Sequence, residues 1–121
     1  VDQAIARLEK DGTLSRRLNQ ARMTMFGPRN KLMVHQAGIN VDLFSATPET
    51  WWNQLVCRTG PAELNMRIAR QAQEDGWSWN VYGPGFTHVQ TLKVVPTHSE
   101  DDVFRFVRLP CLAPNLRHTL V

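Results

Sequence analysis

Asp42 is the residue whose setting most invites a chemical reading. It lies in the apolar run INVDLF, residues 39–44, where a carboxylate costs desolvation energy unless a partner offsets it. The plainer reading is an edge-strand or surface charge that discourages unwanted strand pairing. The other reactive side chains point to less. His35, His88, His98 and His118 are scattered, with no H-x-x-x-H or H-E-x-x-H spacing from which to build a zinc site. Cys57 and Cys111 form no C-x-x-C pair and are too few for a disulfide scaffold. They read as two reduced thiols of a cytosolic protein. The GPGF stretch at 83–86 lacks the strand, glycine turn and helix of a phosphate cradle. Trp51, Trp52, Trp77 and Trp79 read first as core, with base stacking by one exposed ring as the alternative.

The elements that must position Asp42 follow from periodicity. VDQAIARLEKDG (1–12) predicts an amphipathic helix with Asp2 as cap, Ile5 and Leu8 inward, and Gly12 at its end. RMTMF (22–26) and NKLMVHQ (30–36) predict strands around the turn GPRN. Residues 31–45 predict a β-hairpin turning at Ala37 and Gly38, so this sheet is at least partly antiparallel. Within its second strand Ile39, Val41, Leu43 and Ser45 share one face. Asn40, Asp42 and Phe44 share the other, which leaves Asp42 on the open side.

The rest of the chain alternates helix and short strand. TPETWWNQLVCR (47–58) predicts a helix capped by Thr47, with Pro48 at its first position and Trp51, Trp52, Leu55 and Val56 as its apolar face. TGPAELNMRIARQAQEDG (59–76) predicts a second helix, opened by Thr59 or Gly60, packed through Leu64, Ile68 and Ala72, and closed by Gly76. WSWNVYG alternates as a strand, and 84–96 holds a turn and one or two short strands. Residues 97–109 predict a helix capped by Thr97 or Ser99 and packed through Val103, Phe104, Phe106 and Val107. The tail from Pro110 reads as ordered but irregular. A composition shift near Ala46 divides residues 1–46 from 47–121. The fold class is α+β, an antiparallel or mixed sheet fragment followed by a small second unit.

Composition bounds the function without choosing it. A chain of 121 residues with 42% apolar content supports one domain or two small packed units with a modest core. Its net charge of +3 and pI near 9.3 permit a polyanionic partner but do not require one. No apolar run approaches the roughly 20 residues of a membrane span. The amino terminus is an amphipathic helix and not a signal peptide, and its lack of an initiator Met suits a processed or shortened chain.

One ordered set of motifs carries a resemblance. VDLF is followed by ETWWNQLVCRTGPAELN, then NVYG, then SEDDVFRFVRLP and CLAPNLR. Over about residues 30–117 this resembles the end of the palm plus the thumb of family X, DNA polymerase beta-like nucleotidyltransferases, nearest to phage or bacterial thumb-containing forms. The resemblance implies Mg²⁺-dependent nucleotidyl transfer to a 3′-OH, a DNA primer–template and a dNTP as partners, and a cytoplasmic setting in a bacterial host. It implies that Asp42 is the third catalytic, metal-binding carboxylate, which polarises the 3′-OH beside hard cations. It also implies nucleotide or DNA contacts from Arg58, Thr59, Gly60 and Asn65, with Arg67 or Arg70 replacing a template-monitoring arginine whose place is taken by Ala69. Asn65 matches a residue that touches the nucleotide base in the minor groove, and the turn at Gly60–Pro61 is expected to be cis.

The departures shape the expectation. Upstream of Asp42 stand only Asp2 and Asp11, neither in a Gly-Asp-x-Asp strand pair. The first two metal ligands of the family are therefore missing from this chain, which is not expected to catalyse alone. Cys57 and Arg58 hold the places of an aromatic pair beside the incoming sugar, and Ala62 replaces a residue that packs on the base. The rival reading is a non-catalytic thumb-like module that binds nucleic acid or protein. A third is a nucleotidyltransferase that acts on RNA or a small molecule.

Overall fold

Ile5 and Leu8, one turn apart, draw the first segment into helix α1 (Asp2–Lys10) and onto a small sheet. The computed structural model describes residues 1–121. The chain divides into two compact units, Val1–Ser45 and Ala46–Val121. In the first unit β1 (Leu14–Arg16), β2 (Asn30–His35) and β3 (Asn40–Phe44) form an antiparallel sheet in that order. Ile5, Leu14 and Met33 are its buried core, and Leu8, Phe26, Val41 and Leu43 pack around them.

Several local expectations are corrected here. Asp2 is the first helical residue and caps nothing; Val1 is the N-cap, without a side-chain bond. Residues 22–26 form no strand. They make only isolated bridges, Leu18 with Thr24 and Phe26 with Lys31, because two tight turns interrupt the ladder. One is closed by the Asn19 N–H on the Met23 carbonyl, the other by the Gly27 N–H on the Asn30 carbonyl. The hairpin over β2 and β3 is present, with Leu32 opposite Asp42 and Met33 opposite Val41. Its turn needs Gly38 in the left-handed region, at φ 87°. The alternation holds: Val41 and Leu43 are half-buried, while Asn40, Asp42 and Phe44 are exposed.

The second unit opens with α2 (Trp51–Thr59), three residues later than the expected Thr47–Pro48 start. Residues 47–50 instead close a separate turn, in which the Thr50 N–H reaches the Thr47 carbonyl at 3.1 Å. The buried face of α2 also differs from expectation. Asn53, Gln54 and Val56 are buried, whereas Trp51 is 47% exposed. Asn53 can sit at 0% exposure because its amide is fully engaged. Its Nδ2 donates to the Asn80 and Gly85 carbonyls at 3.0 and 2.9 Å, and its Oδ1 accepts from Thr97 Oγ1 at 3.1 Å.

Helix α3 (Ala62–Glu74) buries Leu64, Ile68 and Ala72, the three residues its periodicity singles out. Its N-cap is Pro61, not Thr59 or Gly60, and Gly76 follows its end at φ 85°. Strands β4 (Trp77–Trp79), β5 (Gly85–His88) and β6 (Val94–Pro96) form a second antiparallel sheet. Ser99 caps α4 (Glu100–Phe106) by accepting from the Asp102 N–H at 3.0 Å. Asp102 Oδ2 accepts in turn from the His98 N–H at 2.9 Å, one residue ahead of the cap. Thr97, the other cap candidate, is buried against Asn53. The tail is not irregular: Pro114–Leu120 is a 3₁₀ helix. Val56, Leu64, Ile68, Phe86, Val103, Phe104 and Val107 are the heart of this core, with Phe86 and Phe106 stacked at 3.9 Å. The whole is α+β, with both sheets antiparallel.

Candidate nucleic-acid interface

In the second unit the residues singled out from sequence gather where α2 hands over to α3. Helix α2 runs out at Thr59, whose Oγ1 turns back to the Leu55 carbonyl at 2.7 Å. Gly60 then takes φ 68°, its N–H bonding the Val56 carbonyl at 3.1 Å. The Gly60–Pro61 peptide bond is cis. Pro61 starts α3 directly, its carbonyl accepting from the Leu64 and Asn65 N–H groups. This brings Asn65, one turn into α3, beside the end of α2. Its Nδ2 donates to the Cys57 carbonyl at 2.8 Å, with Cys57 Sγ at 3.5 Å.

That contact fixes the Asn65 amide. Exchanging its nitrogen and oxygen would set two acceptors against each other. Oδ1 is left buried without a protein partner. Cys57 beneath it is half-buried, and burial pushes its thiol up while the neighbouring Arg58 pulls the other way. Cys111 is exposed, and local desolvation raises it too. A raised thiol is protonated at neutral pH and a poor nucleophile. Iodoacetamide at pH 7.5 is therefore expected to label Cys57 several-fold more slowly than Cys111, with both accelerating in urea; peptide mapping by mass spectrometry reads the two rates.

Arg58 is exposed at the last turn of α2. Arg67 and Arg70 lie on the outer side of α3 beside Glu63 and Met66, along a depression that also touches Leu120 and Val121. Arg67 is already engaged, with Gln71 Oε1 at 3.2 Å and with the Leu120 carbonyl. Arg70 enters no ion pair and projects from the exposed helix surface. Of the two arginines considered as stand-ins for Ala69, Arg70 is thus the one whose head is available to a phosphate.

Asp42 belongs to the first unit. It stands on the open face of β3, and Arg17 Nη2 meets its Oδ1 at 2.8 Å. The same guanidinium donates from Nη1 to the Met33 carbonyl at 2.9 Å, so it is tied to the middle of the sheet. Arg17 is the partner that sequence reasoning missed. Only the register of β1 on β2 brings it to Asp42, and β1 is too short to show a period. No three His, Cys, Asp or Glu side chains converge anywhere in the chain in a way that could hold a metal ion.

A turn joining two helices, with a three-stranded antiparallel sheet, a capped helix and a 3₁₀ tail around one core, makes a small α+β module. Residues 54–118 match the family model described as DNA polymerase beta thumb. The match spans more than half of the chain, and the protein belongs to that family. It begins inside α2, so Asp42 and the whole Val1–Ser45 unit lie outside it. No curated protein matches the chain.

Proposed function

We propose that this chain is the end of the palm and the thumb of a family X-like nucleotidyltransferase. In this reading residues 46–121 bind DNA and the incoming nucleotide, and Asp42 on β3 supplies the third carboxylate of the transfer reaction. The observation that carries it is the thumb family match over the turn that presents Asn65, Thr59 and Arg58. Asn65 would have to turn its amide away from the Cys57 carbonyl to meet a base edge, and Arg70 offers a cation to a phosphate. Exposure of Asp42 on the open sheet face supports its part in the reading.

The Mg²⁺ that the resemblance implies does not fit the donor set of this chain. Asp42 is a single carboxylate, it is neutralised by Arg17, and no second acid stands with it. A hard cation of this kind takes several oxygen ligands. The same facts favour a second reading, in which the chain is a thumb-like binding module and Asp42–Arg17 is a sheet-stapling ion pair.

Fluorescence anisotropy with a duplex oligonucleotide carrying a single-stranded overhang tests the shared core of both readings. The native chain is expected to bind, and Arg70→Ala to weaken binding several-fold. Absence of binding at low salt would overturn the first and restrict the second to a protein partner. Asp42→Asn separates them. In the first reading it abolishes transfer in any form of the protein that performs it and leaves DNA affinity intact. Transfer that survives the substitution returns Asp42 to the ion-pair role.

A further inference from the structure

The cations of this chain are unevenly placed. Residues 46–121 contain seven Lys and Arg against seven Asp and Glu, and residues 1–45 contain seven against four. The net charge of +3 therefore resides entirely in the first unit, outside the thumb match. The ion pairs show which cations of the first unit carry its surplus. In the first unit Asp2 meets Lys31 at 3.8 Å, Glu9 meets Arg16 at 3.0 Å and Asp42 meets Arg17 at 2.8 Å. The fourth acid, Asp11, is held by the N–H and hydroxyl of Thr13. Arg7, Lys10 and Arg22 are left exposed and outside every ion pair. In the second unit Arg105, Arg108 and Arg117 are paired with Asp101, Asp75 and Glu100.

The unopposed cations are also well supported. Arg7 and Lys10 are three residues apart on α1, on the side away from Ile5 and Leu8. Arg22 sits in a turn locked by the Asn19 side chain, whose Oδ1 accepts from the Ala21 and Met23 N–H groups at 2.9 and 3.1 Å. It holds φ 59° there, a backbone that an arginine adopts only when its surroundings impose it. A cation on a fixed turn loses less freedom on meeting a phosphate than one on a mobile loop.

We infer that the Val1–Ser45 unit carries most of the sequence-independent grip on the DNA phosphate backbone, through Arg7, Lys10 and Arg22, while the thumb unit adds the single phosphate contact of Arg70. The inference rests on the DNA-binding reading above and assigns its electrostatic share. Binding by counterion release makes log affinity fall with log salt by about 0.9 per phosphate neutralised. Anisotropy titrations of the same overhang duplex across about 50–300 mM NaCl give that slope. Arg7→Ala/Lys10→Ala/Arg22→Ala is expected to reduce its magnitude by about 2.7 and to weaken binding about 500-fold at ~0.1 M salt. Arg7→Lys/Arg22→Lys keeps the charge and is expected to keep the slope. Circular dichroism checks that the exposed substitutions leave the fold intact. If the native chain binds no DNA, the functional reading falls and takes this inference with it. If it binds and the triple variant retains the native slope, only this inference falls.

Discussion

Arg117→Ala is expected to destabilise the Ala46–Val121 unit by about 3 kcal/mol, at the lower edge of the range for breaking a buried ion pair. Arg117 is 1% exposed, the largest fully buried side chain of the protein. Its Nε donates to the Leu112 carbonyl and its Nη1 to Glu100 Oε2, each at 2.9 Å. The guanidinium also lies over Phe104, 4.9 Å from the ring centre. Alanine removes all three contacts and opens a cavity where the tail meets α4. Glu100 is a quarter exposed and can regain water once unpaired, which holds the loss near the lower figure. Arg117→Lys keeps the charge without the planar fork and is expected to recover only part of the stability. All four tryptophans, Trp51, Trp52, Trp77 and Trp79, lie in this unit, so urea unfolding followed by tryptophan fluorescence reports on it alone. The contrast is Arg105→Ala. Its pair with Asp101 is solvent-exposed, and a change within about 0.5 kcal/mol is expected. Equal losses for the two variants would mean that burial contributes nothing to the Arg117 pair.

What could be read from the sequence was what local pattern alone decides. Helix α3 followed from Leu64, Ile68 and Ala72 at turn spacing. The cap of α4 was narrowed to Thr97 or Ser99 ahead of a run of acids, and Ser99 fills it. The open-face position of Asp42 followed from strict alternation along β3. The misreadings share a cause, which is a partner distant in sequence. Apolar residues assigned Trp51 and Trp52 to the inner face of α2, yet Asn53 occupies it. Its three bonds reach residues 27, 32 and 44 positions away. The burial of Arg117 had no local signal, because its partner Glu100 stands 17 positions away on α4. Arg17 could not be assigned to Asp42 without the β1–β2 register. The candidate interface residues Thr59, Gly60 and Asn65 carry no spacing signal of their own. Only the order of motifs along the chain pointed to them.

Gly85→Ala is expected to cost the second unit more than any other single methyl group added to it, about 4–5 kcal/mol. Gly85 opens β5 opposite Pro96 of β6, at φ 151°. A Cβ there would stand 2.8 Å from Pro96 Cα and 2.9 Å from the Thr97 nitrogen, and closer still to the Val95 carbonyl oxygen. These are backbone atoms, so no rotamer change relieves the clash and the two strands must separate. Overpacking alone costs typically 1–3 kcal/mol, and an unfavourable backbone adds a further 1–3. Separation also loosens the Asn53 network. Asn53 donates to the Gly85 carbonyl and accepts from Thr97, both groups displaced by the same movement. Breaking one such bond leaves a buried polar atom unpaired, at about 1–3 kcal/mol. Strain, register and buried amide thus fail together, which makes the effect larger than the volume of a methyl group suggests. Gly83→Ala is the internal comparison. Its added Cβ would meet the Asn80 carbonyl oxygen at 3.2 Å and side-chain atoms beyond that, so a small local shift accommodates it at about 1 kcal/mol. Urea midpoints from tryptophan fluorescence rank the two. A Gly85→Ala protein as stable as Gly83→Ala would show that β5 and β6 are not held in the close register from which the whole network is argued.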